Sequence, residues 1–192
     1  MNKNFETELP SGYREAYSID AKNIKTGVLL NAAGIVLTAL LIAAAYFIIK
    51  PSGFMENFSF SRYVIALFVL IVYIVAHELT HGAAYKLLTK RKLTFGLSLT
   101  VAYCGVPDIY VYRKTALISL LAPFTVFSIV FLCAALLFRD QWDKFYASAV
   151  FAIHIGGCSG DLFGTLLYLI RFRDKRTLMR DTGPKQTFYL PE

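Results

Sequence analysis

The sequence predicts an α-helical integral membrane protein of about four transmembrane helices, with a β-hairpin between the second and third. Three observations predict it. Hydrophobic residues make up 56% of the 192 and the mean hydropathy is +0.52, too apolar for a soluble domain of this size. Four stretches are long enough to cross a bilayer, which takes about 20 apolar residues per helix. Lys and Arg are abundant in alternate connecting segments and scarce in the others.

The elements follow in order. Residues 1–26 form a polar N-terminal segment, too long and too mixed for a signal peptide, so the first span is expected to persist. That span covers 27–49 without a charge, and the second covers 63–88. Over 92–113 the period changes to two. Leu93, Phe95, Leu97, Leu99, Val101 and Tyr103 alternate with Thr94, Gly96, Ser98, Thr100 and Ala102, a strand pattern. Cys104 to Asp108 supply turn residues, and Ile109–Tyr112 is expected to return as the second strand of the hairpin. The third span covers 115–138, with Pro123 expected to kink it. The fourth covers 145–170, where Gly156, Gly160 and Gly164 repeat at four-residue spacing. Such spacing lets helices approach closely, and the second span is the expected partner. Residues 27–170 read as one membrane domain, followed by a tail over 171–192.

Of the 20 Lys and Arg, 16 lie in the N-terminal segment, the hairpin region with its flanks, and the C-terminal tail. With four spans those three segments share a side, and the positive-inside rule makes both termini cytoplasmic, in the cell membrane. The net charge of +7 is then topology and contact with anionic lipid, not a nucleic-acid site. Three cysteines, Cys104, Cys133 and Cys158, imply no disulfide framework.

The second span carries His77-Glu78-Leu79-Thr80-His81. On a helix, two His at i and i+4 share a face and can hold one Zn²⁺, and the Glu beside the first is placed to activate a bound water. A lone His at a helix end is ordinarily a satisfied side chain. Two of the chain's three His with a Glu at this spacing, in a segment where ionisable groups are costly, point instead to a metal site. At about 1.5 Å per residue, His81 lies roughly 8–15 Å below the cytoplasmic edge and Asp161 of the fourth span about 15 Å. The matching depth makes Asp161 the expected third ligand of a His₂-carboxylate site. Cys158, His154, Asp108 and Cys104 stay open as rivals. His154 lies about 10 Å further from the cytoplasm, better placed to contact substrate or a developing oxyanion.

Several of these residues also carry a resemblance. Leu9-Pro10-Ser11-Gly12-Tyr13, the His77–Gly82 motif, Ala102-Tyr103-Cys104 with Pro107, Ala122-Pro123-Phe124 and Gly160-Asp161 together resemble the putative zincin peptidase family of short membrane proteins. The wider pattern is similar to the site-2 protease class of intramembrane metalloproteases. That resemblance implies His77, His81 and Asp161 as ligands and Glu78 as catalytic base. The setting departs from that class at Ser159-Gly160-Asp161-Leu162, where no Asn stands near to serve an oxyanion.

The expected function is therefore a zinc-dependent intramembrane endopeptidase. Glu-assisted attack of zinc-bound water would cleave membrane-associated protein or peptide substrates near the cytoplasmic face. The alternative is a non-catalytic zinc-binding membrane protein that regulates a partner. Substrate identity and oligomeric state are not written in the chain.

Overall fold

The computed structural model describes residues 3–53, 59–98 and 101–192. In chain order the elements are β1 (Phe5–Glu6), β2 (Tyr13–Asp20), α1 (Ile24–Ile49), α2 (Phe60–Thr89), β3 (Thr94–Leu97), β4 (Ala102–Gly105), β5 (Tyr110–Tyr112), α3 (Arg113–Leu137), α4 (Gln141–Gly157), α5 (Ser159–Ile170), β6 (Leu178–Asp181) and β7 (Lys185–Pro191). They pack as two compact units. A terminal unit contains Met1–Leu30, His77–Pro123 and Gly160–Glu192; a helical unit contains Asn31–Ala76 and Phe124–Ser159.

Helix ends follow local chemistry. The Asn23 side chain accepts from Lys25 N–H at 3.0 Å at the start of α1, and the Asp140 carboxylate accepts from Trp142 and Asp143 N–H at the start of α4, as N-caps do. α1 and α2 are each followed by a lysine with positive φ, Lys50 at 51° and Lys90 at 57°, the left-handed residue that stops a helix.

Helices α1, α2 and α3 are long and apolar enough to cross a membrane, and α4 with α5 would make a fourth span if the bent pair counts as one. In the most apolar 18 residues of α1 only 6% are buried, against 11% in α2 and 22% in α3. Helices that expose apolar surface on every side match lipid rather than water. The uninterrupted fourth helix expected from hydropathy is instead broken at Cys158, which caps α4 with its N–H on His154 O. Gly156 and Gly157 directly precede the break, and paired glycines weaken helix continuity.

The helical unit has a small core of Tyr73, Phe131 and Val150, with Phe127 and Phe151 against it. Arg62 in this unit pairs with two carboxylates: its Nε lies 2.7 Å from Asp143 and a second guanidinium nitrogen 3.2 Å from Asp140. Gly156 does make a close helix approach, but to α1 and not to α2. A Cβ on Gly156 would sit 2.0 Å from Thr38 Oγ1 and 2.4 Å from the Gly34 carbonyl oxygen. Gly160 has open space around it, and Gly164 faces Leu120 and Gln186. The three glycines thus do not form one stripe, because the break at Cys158 interrupts their register.

In the terminal unit both chain ends enter one antiparallel sheet, ordered β1-β5-β6-β7-β2. Tyr13–Asp20 pairs along Lys185–Pro191, so the polar N-terminal segment and the C-terminal tail both supply strands. The expected hairpin over 92–113 forms differently. β3 pairs with β4 across a reversal at Ser98–Val101, where the Ser98 hydroxyl bonds both the Val101 N–H and C=O at 3.1 Å; Leu99 and Thr100, which the expected strand included, lie outside the described residues. β5 pairs with β1 and β6 instead of returning along β4. Partners from the distant termini win the β5 edges, which local alternation cannot reveal. The core beneath is Tyr85, Val106, Ile109, Val111, Leu120, Tyr168, Phe172, Met179 and Phe188. Asn4 Nδ2 donates to the Leu88 carbonyl at 2.8 Å and ties the N-terminus to the end of α2.

The β6–β7 turn is built on Asp181. Its carboxylate accepts from Gly183 N–H at 2.8 Å and from the Tyr85 hydroxyl at 2.7 Å. Gly183 has a φ of 98°, which favours glycine. Burial pushes the Asp181 carboxyl up to about 6, against the pull of those two hydrogen bonds.

Two outcomes follow from this packing. Gly156→Ala should cost about 1–3 kcal/mol by overpacking, while Gly160→Ala should be tolerated; thermal unfolding of the detergent-solubilised protein checks both. Because the folded carboxyl of Asp181 titrates above its unfolded value, its contribution to stability is fully present below about 3.8 and is lost as pH rises through about 6. The melting temperature of wild type relative to Asp181→Asn should therefore rise as pH is lowered from 7 to 4.

Candidate metal centre

The motif lies within the continuous helix α2. His77 and His81 project from one face, their rings 4.9 Å apart between centroids, and both are buried. The break at Cys158 puts Asp161 in the first turn of α5, where the helix dipole favours a carboxylate. His77 Nε2 is 3.2 Å from Asp161 Oδ2 and His81 Nε2 is 3.3 Å from Oδ1. One donor atom from each of the three residues lies within 4.8 Å of the others.

The donor set fits zinc. His81 Nδ1 is 2.7 Å from the Ser119 carbonyl oxygen, and a carbonyl only accepts, so Nδ1 carries the proton. With the ring neutral, as a metal ligand must be, Nε2 turns its lone pair toward Asp161, and a cation between them would satisfy both groups. The distances agree. Bonds of about 2.0–2.1 Å at a tetrahedral angle separate two ligand atoms by about 3.3 Å, whereas a charge-assisted hydrogen bond draws N and O to about 2.7–2.9 Å.

Glu78 is half-buried on the neighbouring face of the same turn. Its carboxylate accepts a hydrogen bond from the Cys104 backbone N–H and is within electrostatic reach of both histidines and Asp161. Gly82, directly after the motif, leaves room for the hairpin: a Cβ there would sit 2.7 Å from Phe95 Cζ.

Asp108 is exposed in the turn before β5. Cys104 is buried, and that burial, followed by the charges of Asp181 and Glu78, pushes its thiol up to about 12; a neutral thiol is a poor ligand. His154 belongs to the helical unit and is fully buried. Its Nδ1 is 2.8 Å from the Tyr73 hydroxyl, and its Nε2 is 3.1 Å from Ser128 Oγ and 3.3 Å from the Phe124 carbonyl oxygen. Cys158 Sγ lies 3.6 Å from His154 Nδ1. Both nitrogens of His154 thus have partners that join α2, α3 and α4 within that unit.

Two contributors escape sequence reasoning. The Ser119 carbonyl and the Cys104 N–H are backbone groups, which any residue supplies, so no side-chain pattern marks them. Asp181 is marked only weakly, by the Asp-Thr-Gly-Pro turn at 181–184.

A family model described as "Putative zincin peptidase" matches residues 70–176, more than half of the chain. The matched stretch contains His77, Glu78, His81 and Asp161. No curated protein and no solved structure matches the chain.

Elemental analysis of the purified protein should find near one zinc per chain. His77→Ala and Asp161→Ala should each lower that content sharply, because two protein ligands hold zinc poorly.

Proposed function

The chain belongs to the putative zincin peptidase family, and from that premise we propose that it is a zinc-dependent intramembrane endopeptidase. Its substrates are membrane-associated proteins, cleaved near the cytoplasmic face. The observation that carries the reading is the meeting of His77, His81 and Asp161, with Glu78 beside them, on a helix apolar enough to span a bilayer. The orientation is supported by charge: 16 of the 20 Lys and Arg belong to the terminal unit that contains these residues, and basic segments stay in the cytoplasm.

His77, His81 and Asp161 would hold the zinc and leave one coordination position for the reaction. The bound metal supplies Lewis acidity toward the scissile carbonyl and the attacking water. Glu78 takes the proton of that water and passes it to the leaving amine. The Cys104 N–H holds the Glu78 carboxylate in place, and the Ser119 carbonyl holds His81 in the tautomer that presents Nε2. Among the described residues β3 and β4 form a two-stranded sheet, which supports pairing of an extended substrate segment along the hairpin edge. A helical substrate has its peptide bonds internally hydrogen-bonded and must unwind before it can pair there. We assign His154 to joining the three helices whose groups it contacts, and not to the oxyanion.

Hydrolysis of casein by the detergent-solubilised protein tests the reading. Wild type should cleave it and lose activity to a chelator. Glu78→Gln should keep its zinc and lose about 10²–10⁴-fold in rate, the usual contribution of a general base. Unchanged activity in Glu78→Gln would remove the proposed mechanism, and a zinc-loaded but inactive wild type would favour a binding protein.

A further inference from the structure

We propose that Asp181 is a positioning residue for the metal centre, so that the strands of the two termini are part of the working site. The inference rests on the metal-site reading above. Asp181, Tyr85 and β6 have no part in the metal set, yet three contacts connect them to it.

The first runs through α2. Tyr85 follows His81 by four residues and His77 by eight, so the three side chains lie along one face of the helix. The Tyr85 hydroxyl, 1% exposed with its residue, donates to Asp181 Oδ2 at 2.7 Å. That bond fixes the face bearing the histidines relative to β6.

The second and third run through the segment after β4. The Asp181 carbonyl accepts from Val106 N–H at 2.8 Å, and the Asp181 turn packs against Gly105 so closely that a Cβ there would sit 2.2 Å from Gly183 N. One residue earlier, the Cys104 N–H is the donor to Glu78. The same short stretch is therefore held by Asp181 on one side and holds the proposed base on the other.

A buried carboxylate is a costly way to close a turn. An apolar pair in place of Tyr85 and Asp181 would fill the same space without desolvating a charge. What the polar pair adds is direction: a hydroxyl–carboxylate bond permits one rotation of Tyr85, whereas packed apolar groups permit several. The strands that supply Asp181 lie beyond residue 176, where the family match ends.

The test is the affinity of the full-length, metal-free protein for Zn²⁺ in detergent, measured by competition with a chromophoric chelator. Asp181→Ala and Tyr85→Phe should each weaken binding about tenfold, at the lower end of what partners outside the ligand set contribute. Asp181→Asn, which retains an oxygen for the Tyr85 hydroxyl, should recover most of that loss. The melting temperatures of the metal-free variants should not rank in the same order as their affinities. Wild-type affinity in both Tyr85→Phe and Asp181→Ala would overturn the proposal, as would a weakening that simply tracks lost stability. If Asp181→Ala does not fold, the near-isosteric Tyr85→Phe decides. Failure of wild type itself to bind Zn²⁺ would overturn the metal-site reading and this proposal with it, a result distinct from equal binding by wild type and variants.

Discussion

The approach of the Asp161 carboxylate to the imidazoles of His77 and His81 is the interaction on which the terminal unit depends. Two imidazoles that prefer water are brought to 3.2 and 3.3 Å from a carboxylate in a largely dehydrated place. Desolvation opposes that arrangement unless a cation lies among the donors. Several local features serve it. α2 is unbroken through the motif, so the two histidines share a face. The glycine-rich break before Asp161 starts a new helix there, and its first turn accepts a negative charge.

Around the donors, the orienting groups are mostly main chain. Ser119 contributes a carbonyl and Cys104 an N–H, and both belong to segments held by the strands of the terminal sheet or the helix that follows it. Backbone groups at element ends have little freedom to move once their element is packed, so they orient a ligand more firmly than a long side chain would. The five-stranded sheet is therefore more than a cap on the chain ends. Its strand β6 accepts a hydrogen bond from Val106, two residues after Cys104, and its core side chains, Met179 and Phe188 among them, pack in the same cluster as Tyr85 and Leu120.

The helical unit works on the opposite principle. Its outer surface is apolar, and one of its buried centres is polar: Tyr73, Ser128 and His154 share hydrogen bonds among phenylalanine rings. Where lipid surrounds a helix, apolar burial gives little preference for one packing over another, so hydrogen bonds and close glycine contacts take over. Gly34 and Gly156 provide such a contact here. His154, which the sequence offers as a contact for substrate or an oxyanion, has its hydrogen-bond partners within this unit.

By itself, the sequence determined the long apolar helices and the candidate metal donors, because both depend on local rules. Long charge-free stretches specify helices able to span a bilayer, and the four-residue spacing of His77 and His81 puts them on one face wherever the helix lies. Depth along the second and fourth stretches was enough to single out Asp161 for the same cluster. The tertiary structure alone decided what depends on distant partners. The break at Cys158 was masked by unbroken hydropathy across 145–170. The pairing of β5 with strands from both termini was hidden because an edge is won by whichever segment completes it. The parts played by Ser119, Cys104 and Asp181 arise from a backbone position or a turn on another element. Such groups acquire meaning only when folding brings them beside α2.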